Sequence, residues 1–190
     1  MSSFFSKFII WVIGVVVIGQ GCFPVHAEES VGGDFSLIDQ DGRPFQLNQL
    51  RGQVVLLFFG YTSCPDICPS ELATMTHVMN SLGDGSGQVK GVFITLDPER
   101  DDPQVLKQYT GYFGGNIVGL TGSLEEVRGV ANSYRVKFSR HLRPDGSYTV
   151  DHTANLYIVG REGKLSAVVP YGFPPGHVLE VVQQLLGGDR

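Results

Sequence analysis

The sequence predicts an α/β fold in which a central mixed sheet is packed between helices behind a short N-terminal hairpin. Three observations carry that reading. Residues 54–59 (VVLLFF) and 91–96 (GVFITL) are continuous apolar runs, as strands buried on both faces are. Between them, from about 67 to 82, Leu72, Met75, Met79 and Leu82 recur every three or four residues, the stripe of an amphipathic helix. Strand, helix and strand in that order form a crossover whose strands run parallel.

The remaining elements follow in order. Residues 35–38 (FSLI) and 45–47 (FQL) flank the turn dipeptide Asp41-Gly42 and read as the opening hairpin. A helix over 103–113 places Val105, Leu106, Tyr109 and Phe113 on one side, and Tyr109, Tyr112 and Phe113 are expected in the core. Residues 117–120 form a short strand. Ser123 and Glu126 then make a capping box ahead of a helix over 124–134. Pro144-Asp145-Gly146 is a turn. Residues 156–159 and 165–169 flank the turn Glu162-Gly163 as antiparallel neighbours, and a helix over 175–186 closes the chain. This order is that of a thioredoxin-like sandwich with helical insertions.

Charge and leader bound the setting. Fourteen Lys and Arg against 19 Asp and Glu give a net charge of −5, which excludes broad binding to nucleic-acid backbones. Lys7 precedes an apolar run at 8–18 (FIIWVIGVVVI), the order of a secretory leader, and the run is short for a free-standing span. Three outcomes stay open: cleavage after Val25-His26-Ala27, lipidation at Cys22 following Gly21, or retention of 1–27 as a membrane anchor. Each places residues 28–190 outside the cytoplasm, in a bacterium the periplasm. Those 163 residues make one domain, and Lys7 is the only Lys, Arg, Asp or Glu of the leader, so the domain nets −6.

Of three cysteines, only Cys64 and Cys68 belong to the domain, too few for a disulfide scaffold. They stand in GYTSCPDICP, at the junction of the first buried strand and its helix. Unpaired N–H groups at a helix start stabilise a thiolate. With both cysteines in helical geometry at i and i+4, their Cα atoms lie about 6.2 Å apart on one face. That spacing allows a disulfide or a shared metal ion. A purely structural bridge over so short a loop contributes about 2 kcal/mol at most, little for a domain with its own core. Reversible thiol–disulfide exchange and binding of a soft metal such as Cu(I) are the functional readings.

Three motifs together, FFGYTSCPDICPSEL, ITLDPERDDP and VDHTANLYIVG, resemble the Sco/SenC family across residues 32 to 187. That resemblance implies a thioredoxin-like copper chaperone that helps assemble the copper centre of cytochrome c oxidase. It implies one copper ion per chain, as Cu(I) or Cu(II), held by Cys64, Cys68 and His152, with Asp97 nearby and affecting metal transfer or partner docking. The implied partners are the copper-binding subunit of the oxidase and other copper chaperones.

The residues support His152 separately. It precedes the strand at 156–159, and in this topology the loop entering that strand faces the cysteines. Redox members of the fold place a proline there, whereas Thr153, Ala154 and Asn155 follow His152 here. Two thiolates and an imidazole form a soft donor set suited to Cu(I). His77 falls on the solvated side of its helix, His141 sits between Arg140 and Arg143, and His177 lies near a helix start, none a natural ligand. The acidic stretch at 97–102 reads as a loop at the end of a parallel strand, with Asp102 capping the next helix. A thiol–disulfide reductase that keeps oxidase cysteines reduced is the alternative function. A peroxidase is disfavoured because no Thr-x-x-Cys precedes Pro65.

Overall fold

Two short strands, β1 (Ser36–Asp39) and β2 (Pro44–Gln46), open the domain as the expected hairpin. Its turn needs Gly42, whose φ of +76° suits glycine, and the Asp39 carboxylate accepts the N–H groups of Asp41 and Arg43 at 2.9 Å. The computed structural model describes residues 31–114 and 116–187, so the leader with Cys22 lies outside the described residues. Among the described residues no helix is long and apolar enough to cross a membrane.

The two apolar runs occupy the centre of the sheet. β3 (Val54–Gly60) is buried at all seven positions and pairs in parallel with β4 (Val89–Thr95), from Val54 opposite Val89 to Gly60 opposite Thr95. Between them runs α1 (Ile67–Ser81). After β4 come α2 (Pro103–Gly111), β5 (Ile117–Thr121) and α3 (Leu124–Ser133). Asp102 caps α2, accepting the Val105 N–H at 2.8 Å, and Ser123 with Glu126 caps α3 as a capping box.

A second hairpin follows, β6 (Phe138–Leu142) and β7 (Tyr148–His152), turned at Gly146. Sequence reading finds only its turn. β6 is exposed at four of its five positions, so charge such as that of Arg140 dilutes the apolar alternation that marks a strand, and β7 alternates over only five residues. β8 (Asn155–Val159), β9 (Leu165–Pro170) and α4 (Pro175–Gly187) complete the chain. The main sheet runs β2-β1-β5-β4-β3-β8-β9, with β3, β4 and β5 parallel and the others antiparallel, while β6 and β7 form a separate two-stranded sheet.

Helices α1, α2 and α4 share one face of the main sheet. Gly60, Gly91 and Gly119 mark that face, where helix side chains press close to the backbone: Cys68 and Met75 from α1, Leu106 from α2. α4 packs on α1 and β3. The opposite face carries Tyr134, at the end of α3, against Phe59 and Tyr157 at ring separations of 5.7 and 5.5 Å. On α2, Tyr109 meets Phe93 and Phe113, each at 5.4 Å. Tyr112, expected in the core, is instead 84% exposed. Leu106, Tyr109, Thr110 and Phe113 share one helical stripe, and the 3.6-residue period carries Tyr112 away from it.

Burial and packing set the expected effects of three substitutions. A Cβ on Gly60 would stand 2.7 Å from Cys68 Sγ and 2.9 Å from a ring carbon of Phe93. Gly60→Ala should therefore destabilise the domain by about 1–3 kcal/mol. Exposed Gly129, mid-helix with open space around its Cβ position, should gain about 0.5–1 kcal/mol on replacement by alanine; thermal unfolding of the two variants checks the opposite signs. Glu71 on α1 is buried, and desolvation raises its carboxyl from 4.5 to about 7. Between those values the folded chain holds more of this proton than the unfolded chain, so stability falls as pH rises from 4.5 to about 7. Glu71→Gln should remove that fall and stabilise the protein at pH 8 by on the order of 1–3 kcal/mol, with little change at pH 4, measured by denaturant titration at both values.

Candidate metal centre

β3 ends at Gly60, and the chain turns through residues 61–66 before α1 begins. The two cysteines do not share one helix, so the condition under which their Cα atoms would lie about 6.2 Å apart is not met. Cys64 precedes the helix, its N–H bonded to Tyr61 O at 3.2 Å, and Cys68 is the second residue of α1. Pro65 explains the difference, because a residue before proline is driven out of the helical region. The outcome still favours a thiolate. The N–H of Cys68, one of the unpaired amides at the helix start, points at Cys64 Sγ at 3.5 Å.

The two thiols are free and unlike. Cys64 is half-buried, and its pKa lies well below the ordinary thiol value because the Cys68 thiol and the Asp66 and Cys68 amides hydrogen-bond to its anion. Cys68 is buried, and the bond to Cys64 together with desolvation pushes its pKa up. Cys64 is thus the ready anion of the pair and Cys68 the proton holder.

His152 arrives from the other side, as the last residue of β7. Its Nε2 faces Cys68 Sγ at 3.7 Å, and its Nδ1 lies 3.0 Å from the Thr153 carbonyl. A carbonyl only accepts, so Nδ1 carries the proton and the Nε2 lone pair is aimed at the thiols. The rings of Phe58 and Tyr61 stand edge-on to the imidazole at 6.1 and 6.2 Å and fix its plane. A first-row ion with sulfur and nitrogen bonds of about 2.3 and 2.0 Å in a trigonal set would span nearly this sulfur–nitrogen gap. Two thiolates and one imidazole are also the soft donors such an ion prefers. Among the described residues, no three His, Cys, Asp or Glu side chains are drawn together as a finished ligand cage. The donors are neighbours across a cleft of about 480 Å³ lined by Tyr61, Cys64, Asp66, Arg143 and His152.

Asp97, at the end of β4, is buried, and its carboxylate is bonded to Arg100, to Arg140 at 3.1 Å and to the Tyr148 hydroxyl at 2.8 Å. These partners belong to the second hairpin and to its own loop, so Asp97 grips the segment that carries His152. The other histidines have separate surroundings: His77 is exposed on α1, His141 pairs with Asp151 at 3.2 Å, and the His177 ring lies 5.2 Å from Phe173. Sequence reading overlooks Tyr61, Arg100, Arg140 and Tyr148. The signal was present in the alternation of Tyr148, Val150 and His152 after the Pro144-Asp145-Gly146 turn.

Comparison with known proteins adds four findings. A family model described as SCO1/SenC matches residues 24–187. The SCO2-like protein of Rickettsia felis is 41% identical over 136 residues, covering 70% of this chain and 66% of that protein, so the chain spans just under two thirds of that relative's length. Among solved structures, Arabidopsis thaliana ScoI with copper bound superposes with a TM-score of 0.78 at 36% identity, covering 83% of this chain and 98% of that one. BsSco, described as a member of the Sco family of cytochrome c oxidase assembly proteins and as containing a disulfide switch, superposes with a TM-score of 0.66 at 27% identity, covering 83% and 94%. With its mixed sheet, its CPDICP turn and a match over most of its length, this chain belongs to the SCO1/SenC family.

Proposed function

We propose that this protein is a copper chaperone that holds one copper ion on Cys64, Cys68 and His152 and delivers it to the copper centre of cytochrome c oxidase. The observation that carries this reading is the 3.7 Å approach of His152 Nε2 to Cys68 Sγ, with the protonated Nδ1 turned the other way onto a carbonyl. A copper-bound relative at 36% identity over nearly its whole length supports copper as the cargo. The sites of action are then extracytoplasmic, with residues 1–27 as leader or anchor and 28–190 as the working domain.

Each residue has a task in this scheme. Cys64 supplies a thiolate at neutral pH without competition from its own proton, because its pKa is held low. Cys68 gives up its proton only when the ion or the neighbouring imidazole rewards the loss, so metal binding releases a proton. His152 completes a third coordination position, and Phe58 and Tyr61 keep its ring from turning away. Cys64 and His152 line the cleft and Cys68 is buried behind them, so an acceptor's ligands reach the ion by way of Cys64 while the protein's own still hold it.

The same pair supports thiol–disulfide exchange as a second reading, favoured by its unequal acidities. The Cys64 thiolate attacks a partner's disulfide, and the displaced partner sulfur takes up a proton. Cys68, losing its proton to His152, then attacks Cys64 Sγ and frees the second partner thiol. The partner gains two electrons and two protons, and Cys64–Cys68 is left oxidised.

A competition titration of the full reduced chain against a Cu(I) chelator separates the readings. Losing a group that merely orients a metal ligand costs about 10–100-fold in affinity, so His152→Ala should weaken Cu(I) binding at least as much while leaving both thiols titratable. Equal affinities for wild type and variant, with disulfide reduction retained in the wild type, would move the assignment to the oxidoreductase.

A further inference from the structure

The hairpin that carries His152 has no strand ladder to the main sheet, and Ser139 to Leu142 of β6 are all exposed. Something other than backbone pairing must set where its last residue stands. Val150 anchors the hairpin in the core, and beyond that apolar contact its polar side chains are held at one cluster. Asp97 accepts from Arg140 of β6 and from Tyr148 of β7, and Arg140 bonds Glu99 at 2.7 Å as well. Arg100, also bonded to Asp97, lays its guanidinium 3.8 Å from the centre of the Tyr148 ring and donates to the Tyr148 carbonyl at 3.3 Å. The Arg140 guanidinium flanks that ring too, at 4.9 Å. Tyr148 is therefore gripped by hydroxyl, ring and carbonyl. It lies four residues from His152 on the same strand, so both side chains project to one face.

The loop that grips the hairpin also grips the thiol turn. The Asp97 N–H donates to Thr95 Oγ1 at 2.9 Å, and the Thr95 hydroxyl donates to Asp101 at 2.6 Å. Asp101 in turn accepts the Thr62 N–H at 2.9 Å and the Thr62 hydroxyl at 2.6 Å, two residues before Cys64. One short loop thus holds the cysteine turn by Asp101 and the histidine hairpin by Asp97.

We propose that Asp97, Arg100, Arg140 and Tyr148 form a clamp that positions His152 against Cys64 and Cys68, with Tyr148 as the positioning residue through which the hairpin is locked. The clamp itself is a property of the fold; its use in copper binding rests on the function proposed above. Two carboxylates, Asp97 and Glu99, meet two guanidiniums, so the cluster is neutral and does not depend on an outside counterion. Releasing it frees the imidazole while β3 and α1, which flank the thiol turn, keep their own packing.

Tyr148→Phe tests this, because it removes the bond to Asp97 and retains the ring between the guanidiniums; Tyr148→Phe combined with Arg140→Gln opens the clamp further. In the full metal-free chain, nuclear Overhauser contacts from the His152 ring to Phe58 and Tyr61 should weaken progressively in the two variants. Amide exchange at 149–152 should speed up about tenfold or more, while exchange in β3 and β4 stays as in wild type. In the copper-loaded chain, Cu(I) affinity should fall about tenfold, and the thiolate-to-Cu(II) charge-transfer band should move toward that of His152→Ala. Unchanged ring contacts in both variants would overturn the clamp. Faster hairpin exchange with an unmoved copper spectrum would overturn the positioning role, since a merely structural bond would behave in that way. Should the wild-type chain bind no copper, the copper reading fails, and the ring contacts in the metal-free chain still decide the clamp.

Discussion

A carboxylate shut away from water must find all of its partners inside the protein, and the loop after β4 buries two of them, Asp97 and Asp101. Most of the site's arrangement follows from how they are satisfied. Asp101 takes its hydrogen bonds from Thr62 and Thr95, which fixes the turn before the cysteines. Asp97 takes its own from two guanidiniums and a phenol, which fixes the second hairpin. Removing either set of partners would leave a buried charge uncompensated, a far larger cost than any surface ion pair in the molecule. The acidic character of 97–102 is therefore spent internally, on neighbours.

The thiol pair shows how little distance separates structure from reactivity here. The side chain missing from Gly60 leaves the space in which the Cys68 sulfur sits, and Phe93 closes it from the side. Its bond to Cys64 and its depth keep that thiol protonated, and its proton in turn stabilises the shallower Cys64 anion. A proline after Cys64 breaks the helix before it can include both residues. As a result, the first free amides of α1 serve Cys64 from outside the helix.

How much of this was legible in the sequence depends on how many neighbours each residue needs to reveal its role. The runs at 54–59 and 91–96 declare themselves, because strands buried on both faces are almost continuously apolar. Ser123 with Glu126, and Asp102 before Pro103, announce helix starts through purely local bonds. Cys64, Cys68 and His152 were recognisable from residue type and motif spacing, and the structure brings Cys68 and His152 within 3.7 Å. Tyr148 and Arg140 were not, since their partner lies more than 40 residues away and nothing local marks the contact. The strand of Arg140 was hidden because solvent on most of its surface replaces apolar alternation with charge. Tyr112 misled for the opposite reason: an aromatic beside two core aromatics looks buried until the helical period is followed around the axis.

The seven-stranded sheet also has two ends, and how they are finished bears on the protein's behaviour in a crowded compartment. An outermost strand offers unpaired N–H and C=O groups to any other chain that meets it, which is how folded proteins seed aggregates. At one end β2 is only three residues long and begins at Pro44, which has no N–H to offer. At the other, β9 is bent by the irregular pairing at Ile158 and Val159 and stops at Pro170. Neither end presents a straight template, so the half-buried Cys64 thiol belongs to a fold whose largest sheet offers other chains little to pair with.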